Sequence, residues 1–302
     1  MTLYGIDSVA LGIDDIAAGR RFYIDFGLTE KQHQETGADF QTLDGTTIML
    51  RKIRDRSLPA AVCEGPTVRE ITWSAASVAD IESIAADLGR DRAVTQDAEG
   101  TLHTMDDDSY GLAFRLERRR HFEPAPNQLN IYGREPNRPI NTRVDFRAAI
   151  QPASVAHIVI LSPDVPRATR FYVDRLGFRV SDRFKNGKGA FLRSSGSTYH
   201  HNLFLLHGTP ALHHIAFPVT DFNEVVMGGQ RLLERGWEAR IGPGRHVIGS
   251  NFFWYFKSPL GGAMELTADM DRANDDWPAR EWDHVPENTT AWSMIFNPPP
   301  AR

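Results

Sequence analysis

The segment PDVPRATRFYVDRLGF (residues 163–178) repeats the pattern of DDIAAGRRFYIDFGL (residues 14–28). Each begins with acidic residues suited to a helix N-terminus, continues as a basic, aromatic-bearing helix and ends at a glycine. Each also follows an apolar run typical of a strand, which is DSVALGI in the first copy and VAHIVIL in the second. A strand followed by a helix is therefore predicted once in each half of the chain.

A second repeated pair joins REITWSAASVADIESIAADLG (residues 69–89) to HHIAFPVTDFNEVVMGGQRLLERG (residues 213–236). Both have the pattern of a strand, a polar turn and an amphipathic helix that ends at glycine. Short strand-like runs follow each copy and end at SYGLAFRLE and PLGGAMELT. We therefore predict four units of one strand, one helix and several strands, two in an N-terminal domain (residues 1–121) and two in a C-terminal domain (residues 153–270).

Two further segments have a composition of their own. Residues 122–152 are rich in proline and polar residues, which is typical of a linker, although Phe146 and Ile150 predict that it packs against the body. The tail, residues 271–302, carries three of the six tryptophans. Leaving large aromatic side chains in water is costly, so we expect the tail to wrap over the body or to lie in a subunit interface. The residues concerned are Pro124, Pro126, Pro136, Pro139, Pro152, Trp277, Trp282 and Trp292.

The totals exclude several classes of protein. With 302 residues, 41% of them hydrophobic and 24% charged, the chain can form two globular domains. Its net charge of −5 argues against a nucleic-acid partner. The opening sequence lacks the basic and apolar segments of a signal peptide, and no apolar run approaches the ~18 residues that span a bilayer. Because Cys63 is the single cysteine, disulfides and cysteine-rich metal sites are excluded. A cytoplasmic enzyme or binding protein is predicted.

Candidate metal ligands are concentrated in the second half, since only three of the eleven histidines precede residue 150. His157 lies in VAHIVIL and His214 in LHHIAFPV, both apolar strand-like runs, and Glu265 lies in GGAMELT. Two histidines and a carboxylate on separate strands can form a three-ligand metal face with open positions. A glutamate inside an apolar strand needs a cation, and a salt bridge to an arginine is the alternative.

Adjacent residues on a strand face opposite ways, so only one of His213 and His214 is expected to face a given site. His214 shares its face with Leu212 and Ala216, which leaves room for an ion, whereas His213 shares its face with bulkier apolar residues. The sequence therefore favours His214 as the ligand and assigns His213 to packing.

The first half does not repeat this ligand set. Aligning the units places Ser8, Glu70 and Arg115 at the positions of the three candidate ligands. A serine, a glutamate and an arginine do not make a site for a divalent metal. The N-terminal domain is therefore predicted to be a copy of the scaffold without a metal site.

The segment GPGRHVIGSNFFWYFKSPLGGAME (residues 242–265) resembles the signature of the type I extradiol ring-cleavage dioxygenases of the vicinal oxygen chelate superfamily. The matching positions form Gly-x-His, a spacer, Tyr, then Pro, Gly and Glu, and they are Gly244, His246, Tyr255, Pro259, Gly261 and Glu265. Trp254 and Ser258 depart from the usual residues, but neither occupies a ligand position. The resemblance covers nearly the whole chain. It implies an α+β fold of four βαβββ modules, paired into two domains that are each an open, cup-shaped β-barrel.

The resemblance also implies roles for individual residues. His157, His214 and Glu265 match the ligands of the iron. His246 and Tyr255 match residues that hydrogen-bond a bound catecholate.

One further histidine matches a residue that assists oxygen activation and proton transfer. The segment TYHHNLFLL offers both His200 and His201. The family pattern has a small polar residue after the histidine, so Asn202 favours His201.

The activity implied is Fe(II)-dependent extradiol (meta) cleavage of a catechol-type diol by O2 in the degradation of aromatic compounds, with Mn(II) as an alternative metal. The family also implies a homo-oligomer, a dimer or tetramer. Two other functions stay open: a glyoxalase-like metalloenzyme that consumes no oxygen, and a non-catalytic binding module of the same fold.

The substrate is open at this stage. Phe191, Phe204, Trp254 and Phe256 are candidates for an apolar cup lining, which would favour a hydrophobic substituent. The alternative is a carboxylate substituent held by Arg193 and Arg245.

Overall fold

A computed structural model describes residues 1–123, 129–146 and 148–294. In the first half the elements are β1 (Leu3–Ile13), α1 (Ile16–Phe26), β2 (Thr29–Gln34), β3 (Gly37–Gln41), β4 (Thr47–Lys52), β5 (Thr67–Ala75), α2 (Val78–Leu88), β6 (Thr95–Gln96), β7 (Leu102–Met105) and β8 (Gly111–Leu116). In the second half they are β9 (His157–Ser162), α3 (Val165–Arg170), β10 (Arg179–Phe184), β11 (Gly189–Arg193), β12 (Leu203–His207), β13 (Leu212–Pro218), α4 (Phe222–Glu234), β14 (Ala239–His246), β15 (Phe252–Lys257) and β16 (Ala263–Ala268). The tail adds β17 (Arg280–Trp282), α5 (Pro286–Thr289) and β18 (Thr290–Ser293).

The element order confirms the four predicted βαβββ units. They form an eight-stranded sheet, in the order β2-β3-β4-β1-β5-β8-β7-β6, and a ten-stranded sheet, in the order β17-β10-β11-β12-β9-β13-β16-β15-β14-β18. In every unit the first strand pairs in parallel with the last. The first strands of paired units run antiparallel to each other, β1 with β5 and β9 with β13. The centre of each sheet is therefore built from strands of two units.

Helix starts and stops follow the local sequence. Asp15 caps α1 by accepting a hydrogen bond from the Ala18 amide at 3.0 Å, and Asp164 caps α3 by accepting one from Arg167 at 3.0 Å. The stop after α1 is Gly27, whose φ of 102° lies in the left-handed region that glycine tolerates. No helix in the described ranges is long and apolar enough to cross a membrane.

The segment between the sheets is only partly packed. The segment is predicted to pack against the body because of Phe146 and Ile150: Ile150 is buried, whereas Phe146 is 73% exposed and does not contribute to that packing. Pro124 and Pro126 lie outside the described residues. The first sheet ends at Leu116 and the second begins at His157; the domain boundaries at 121 and 152 stay a prediction.

The tail spans the ten-stranded sheet from edge to edge. Strand β17 pairs in parallel with β10 at one end of the sheet, and β18 pairs antiparallel with β14 at the other. The indole N–H of Trp277 donates to the Ser181 carbonyl at 3.0 Å, and the Trp292 ring lies 5.9 Å from that of Phe222. The described part of the tail, up to Met294, thus lies against the C-terminal sheet.

A buried carboxyl group joins the two halves. Asp106, on the turn between β7 and β8, accepts a hydrogen bond from the hydroxyl of Tyr172 in the C-terminal half at 2.8 Å. The backbone amides of Asp108 and Tyr110 donate to its other oxygen, each at 2.9 Å. Burial outweighs these bonds and raises the pKa of Asp106 to about 7.

This pKa predicts a pH-dependent stability. Because the folded-state pKa lies above the unfolded value, the contribution of Asp106 is complete below pH ~4 and declines as the pH rises toward 7, by up to about 1.4 kcal/mol per pH unit. Asp106→Asn should remove this decline. Denaturant titrations of wild type and variant from pH 4 to 8 measure it.

Asp107→Asn is the matched control, since Asp107 pairs with Arg92 and is more exposed. It should keep the slope of the wild type. If the free energies of unfolding of wild type and Asp106→Asn changed with pH in parallel, the pH dependence could not come from Asp106.

Candidate metal centre

Three neighbouring strands bring the candidate ligands together. Ala216 on β13 is paired with His157 on β9 at one side and with Glu265 on β16 at the other. Residues in one such row point to the same face of a sheet, and so does His214, two residues from Ala216. Because alanine is small, the space above it stays open, and the three longer side chains surround that space.

Their ligand atoms form a nearly equilateral triangle. His157 Nε2 lies 3.2 Å from His214 Nε2 and 3.3 Å from Glu265 Oε2, and His214 Nε2 lies 3.2 Å from Glu265 Oε2. All three side chains are buried. This is the one group in the described ranges whose histidine, cysteine and carboxylate atoms are spaced to share a metal ion.

The triangle fits a divalent transition metal. Ligands bound at ~2.1 Å to one ion at angles between those of an octahedron and a tetrahedron lie ~3.0–3.4 Å apart. Although two ring nitrogens lie close to Glu265 Oε2, that oxygen accepts no hydrogen bond. Uncompensated, a buried carboxylate oxygen is costly. A cation shared by the three atoms would satisfy it.

The electrostatics keep the donors in their metal-binding protonation states. Burial lowers the pKa of His214 to about 3, although Glu265 opposes the shift. Burial alone would raise the pKa of Glu265, but the imidazoles of His157 and His214 outweigh it and hold that pKa well below its usual range. Near neutral pH His214 is therefore a neutral imidazole and Glu265 a carboxylate, as metal binding requires.

Asn251 orients the carboxylate, and the sequence analysis missed it. Its side-chain N–H group donates to Glu265 Oε1 at 3.2 Å and to Thr267 Oγ1 at 2.8 Å. One carboxylate oxygen is thereby held and the other stays directed at the histidines. The only sequence signal was an amide directly before the aromatic run that starts at Phe252.

The prediction that only one of His213 and His214 faces the site is wrong. Both line the same cavity, and their Nδ1 atoms lie 2.7 Å apart. The pairing of β13 with β9 shifts register between Leu212 and His214, so a β-bulge interrupts the alternation of faces. His213 therefore supports the His214 ring, and burial lowers the pKa of His213 to about 4.

His201 lines the cavity beside the triangle. Its ring centroid lies 4.2 Å from that of His157. Burial, then the neighbouring imidazoles, lower its pKa well below the usual value. His200 is fully buried and contacts Asp182 instead. The choice of His201 over His200 is consistent with this arrangement, and its chemical role stays a prediction.

His246 and Tyr255 form a hydrogen-bonded pair that lines the same cavity, with the Tyr255 ring 5.0 Å from that of His214. His246 Nδ1 lies 2.9 Å from the Thr289 carbonyl oxygen, and His246 Nε2 lies 3.0 Å from Tyr255 Oη. A carbonyl only accepts, so Nδ1 carries the proton and Nε2 accepts the hydrogen bond from the tyrosine hydroxyl. Burial and the charge of Glu265 raise the pKa of Tyr255 well above its usual value.

The cavity over these residues measures ≈ 200 Å³. Two stacked ring pairs contribute to its wall: Phe191 on Phe204, with centroids 3.9 Å apart, and Phe184 on His284, 4.2 Å apart. His284 and Thr289 belong to the tail, which therefore supplies part of the cavity wall.

Four of the six residues considered for the substituent lie elsewhere. Trp254 and Phe256 pack into the hydrophobic core. Arg193 donates to the Ser197 and Asn274 carbonyls and to Asp275, and Arg245 pairs with Asp269 and stacks on Phe252. Strand alternation alone could not separate core-facing from cup-facing aromatic residues.

The N-terminal copy needs one correction. Ser8 on β1 pairs with Thr72 on β5, and Glu70 on β5 pairs with Ala10 on β1. His157 on β9 and His214 on β13 pair across their two strands in the same relative positions. Ser8 and Glu70 therefore do occupy the positions of the two histidines. Glu70 pairs with Gly111 as His214 pairs with Ala263. Glu265 lies two residues after Ala263, so its counterpart is Ala113, two residues after Gly111. The alignment that chose Arg115 was off by two residues.

Comparison with known proteins places the C-terminal residues in a known superfamily and the whole fold beside solved structures. Residues 154–266 match the profile of the Glyoxalase/Bleomycin resistance protein/Dioxygenase superfamily. The chain is 38% identical over 136 residues to metapyrocatechase 2 of Cupriavidus necator, covering 44% of this chain and 42% of that enzyme. It is 26% identical over 232 residues to an iron-dependent extradiol dioxygenase of Rhodococcus jostii, covering 69% and 73%.

Solved structures share the whole architecture. A halotolerant catechol dioxygenase, BphC, aligns with a TM-score of 0.76 at 18% identity, covering 98% of this chain and 96% of that one. A Mn(II)-bound glyoxalase from Novosphingobium aromaticivorans also aligns with a TM-score of 0.76, at 23% identity over 96% and 91%. Residues 154–266 therefore form a domain that matches this superfamily, and the architecture of the chain is the two-domain vicinal oxygen chelate fold.

The triangle predicts the effect of removing a ligand. His157→Ala and Glu265→Gln should each lose bound metal after reconstitution with Fe(II) and desalting, because two ligands hold an ion far more weakly than three. Elemental analysis by mass spectrometry measures the metal content. The rise in melting temperature that metal gives the wild type should also disappear.

His207→Ala is the matched control, because His207 lies on β12 but is exposed and outside the cavity. It should retain one metal ion per chain. Full metal content in His157→Ala or Glu265→Gln would contradict the ligand assignment.

Proposed function

We propose that this protein is an Fe(II)-dependent extradiol dioxygenase that cleaves a catechol-type diol with O2, adjacent to the two hydroxyl groups. The observation that carries the proposal is the buried triangle of His157, His214 and Glu265. Its two histidines line a cavity together with His201, His246 and Tyr255. Relatives named as a metapyrocatechase and as an iron-dependent extradiol dioxygenase support it.

Each part of the site has a task in this reaction. Bound Fe(II) would supply a Lewis-acidic, redox-active centre that an ortho-diol can chelate. Because the Tyr255 hydroxyl donates a hydrogen bond to His246 Nε2, its oxygen has lone pairs free to accept a hydrogen bond from a substrate hydroxyl. Across the triangle, a ring nitrogen of His201 can hold or release a proton. The apolar walls exclude water from the reacting groups.

Iron rather than manganese, a homo-oligomeric assembly and a cytoplasmic location are further parts of this proposal, carried by the family resemblance. The Mn(II)-bound glyoxalase shares the fold, so the metal and the reaction both need a direct test.

Oxygen uptake is that test. Protein loaded anaerobically with Fe(II) should, on addition of air and catechols, consume O2 one-to-one with the diol and form a yellow semialdehyde product. Tyr255→Phe should lower the rate by roughly 10²-fold, because the hydroxyl group that links a substrate hydroxyl to His246, and with it the general-base assistance of the pair, is lost. An iron-loaded protein that binds diols without consuming O2 would contradict the proposal and favour a glyoxalase-like reaction or a binding module.

The cavity also defines the substituent that we propose for the substrate. Within the part of the chain that the structure describes, no lysine or arginine lines the cavity. The guanidinium of Arg240 contacts a cavity-lining residue from outside: Arg240 is exposed, and its side-chain nitrogen lies 3.5 Å from His213 Nε2. Phe184, Phe191 and Phe204 supply an apolar wall instead. An uncharged, apolar substituent fits this wall, whereas a carboxylate would be desolvated without a partner.

Two catechols of equal skeleton test the charge preference. We expect 4-isobutylcatechol to bind the iron-loaded protein at least tenfold more tightly than 3,4-dihydroxyphenylacetate under anaerobic calorimetry, since desolvating an unpaired carboxylate costs more than ~1.4 kcal/mol. Phe204→Arg should narrow or reverse the ratio of the two affinities. Phe146→Arg is the control on an exposed residue and should leave that ratio unchanged. Tighter binding of the carboxylate by the wild type would refute the preference.

A further inference from the structure

A chain of three buried side chains leads away from the metal centre behind His201. Asp182 on β10, His200 and His201 are each at most 4% exposed. Asp182 Oδ2 lies 3.0 Å from His200 Nε2, and His200 Nδ1 lies 3.0 Å from His201 Nδ1. The ring of Trp277 packs edge-on against His200 and helps to seal the chain from solvent.

For two neutral imidazole rings, the order of donors along this chain follows from its first member. A carboxylate only accepts, so His200 Nε2 must carry a proton and donate it to Asp182. In a neutral ring His200 Nδ1 is then an acceptor, and the hydrogen bond to it requires a proton on His201 Nδ1. His201 is thereby left with an unprotonated Nε2, the ring nitrogen that remains for the cavity.

The tail fixes the orientation of the carboxylate. The backbone amide of Arg280 in β17 donates to Asp182 Oδ1 at 2.8 Å, so the other oxygen is the one offered to His200. A register shift between Val180 and Asp182 in the pairing of β10 with β11 accompanies this placement. Both oxygens of Asp182 thus have assigned donors.

We propose that Asp182 and His200 are positioning residues that fix the tautomer of His201, so that His201 Nε2 meets the bound substrate as a hydrogen-bond and proton acceptor. The functional part of this inference rests on the proposed function, whereas the tautomer itself does not. Partners of this kind behind an active-site histidine typically change activity by roughly 10–100-fold when removed.

Asp182→Asn makes the proposal testable, because the Arg280 amide orients the new side chain. In the variant, the side-chain amide oxygen has to accept the hydrogen bond that Asp182 Oδ1 accepts from the Arg280 N–H group. The side-chain NH2 group therefore faces His200. That NH2 group would donate to His200 Nε2, so the proton of His200 would lie on Nδ1 and be donated to His201 Nδ1. The proton of His201 would then lie on Nε2. Long-range ¹H–¹⁵N correlation spectra of ¹⁵N-histidine-labelled, metal-free protein at pH 8 read the tautomer, and His201→Gln assigns the signal.

We expect His201 to be protonated at Nδ1 in the wild type and at Nε2 in Asp182→Asn. After loading with Fe(II), the variant should lose at least tenfold in kcat while its metal content and KM for the catechol stay near those of the wild type. Asp275→Asn is the matched control: Asp275 is 74% exposed and pairs with Arg193, so the tautomer of His201 should not change.

Three outcomes would overturn the proposal: a wild-type His201 protonated at Nε2, an unchanged tautomer in Asp182→Asn, or an altered one in the control. The wild-type spectrum decides the tautomer even where the variant fails to fold. Expected tautomers together with no oxygen uptake by the wild type would keep the positioning role and reject the proposed dioxygenase activity.

Discussion

Three lone pairs that converge in a buried space are the constraint on which the rest of this structure depends. Two imidazole nitrogens and a carboxylate oxygen lie 3.2–3.3 Å apart, and the carboxylate oxygen accepts no hydrogen bond. Such an arrangement is unfavourable unless a cation neutralises it. The bulge at His213, the amide of Asn251 and the small side chain of Ala216 all serve to maintain it.

The surroundings assign different tasks to chemically similar residues. Six histidines line the cavity, and burial lowers the pKa of His201, His213, His214 and His246. What separates them is the partner of the second ring nitrogen: a neighbouring imidazole for His201 and His214, and a backbone carbonyl for His246. Hydrogen-bond partners, more than residue type, therefore decide which nitrogen each ring presents to a ligand.

The fold could be predicted from the sequence because it repeats. Acidic helix starts and glycine stops recur in register with apolar strands, and four copies leave few alternatives to four βαβββ units. His157, His214 and Glu265 were identifiable because polar residues within buried strands stand out. The assignment of His213 failed, because strand alternation does not apply across a bulge. The alignment of Arg115 with Glu265 failed because the sequence pattern does not contain the pairing register between strands.

Contacts that join distant segments were out of reach of the sequence. Asp182 and His200 are ordinary polar residues until the turn before β12 brings them together, and Arg280 adds a third segment nearly a hundred positions away. Thr289 contacts His246 through its backbone, so its side chain gives no sign of that role. Composition predicted that the tail wraps over the body or lies in a subunit interface, but not that it supplies a wall of the cavity.

The pairing of the tail also affects how copies of this protein meet. Its two short strands, three and four residues long, are the outermost strands of the ten-stranded sheet. An exposed sheet edge is a template for adding strands from other molecules, and short edge strands limit that hazard. The same segment that lines the cavity therefore shields β10 and β14 from intermolecular strand addition, so a chain without it would be prone to aggregation.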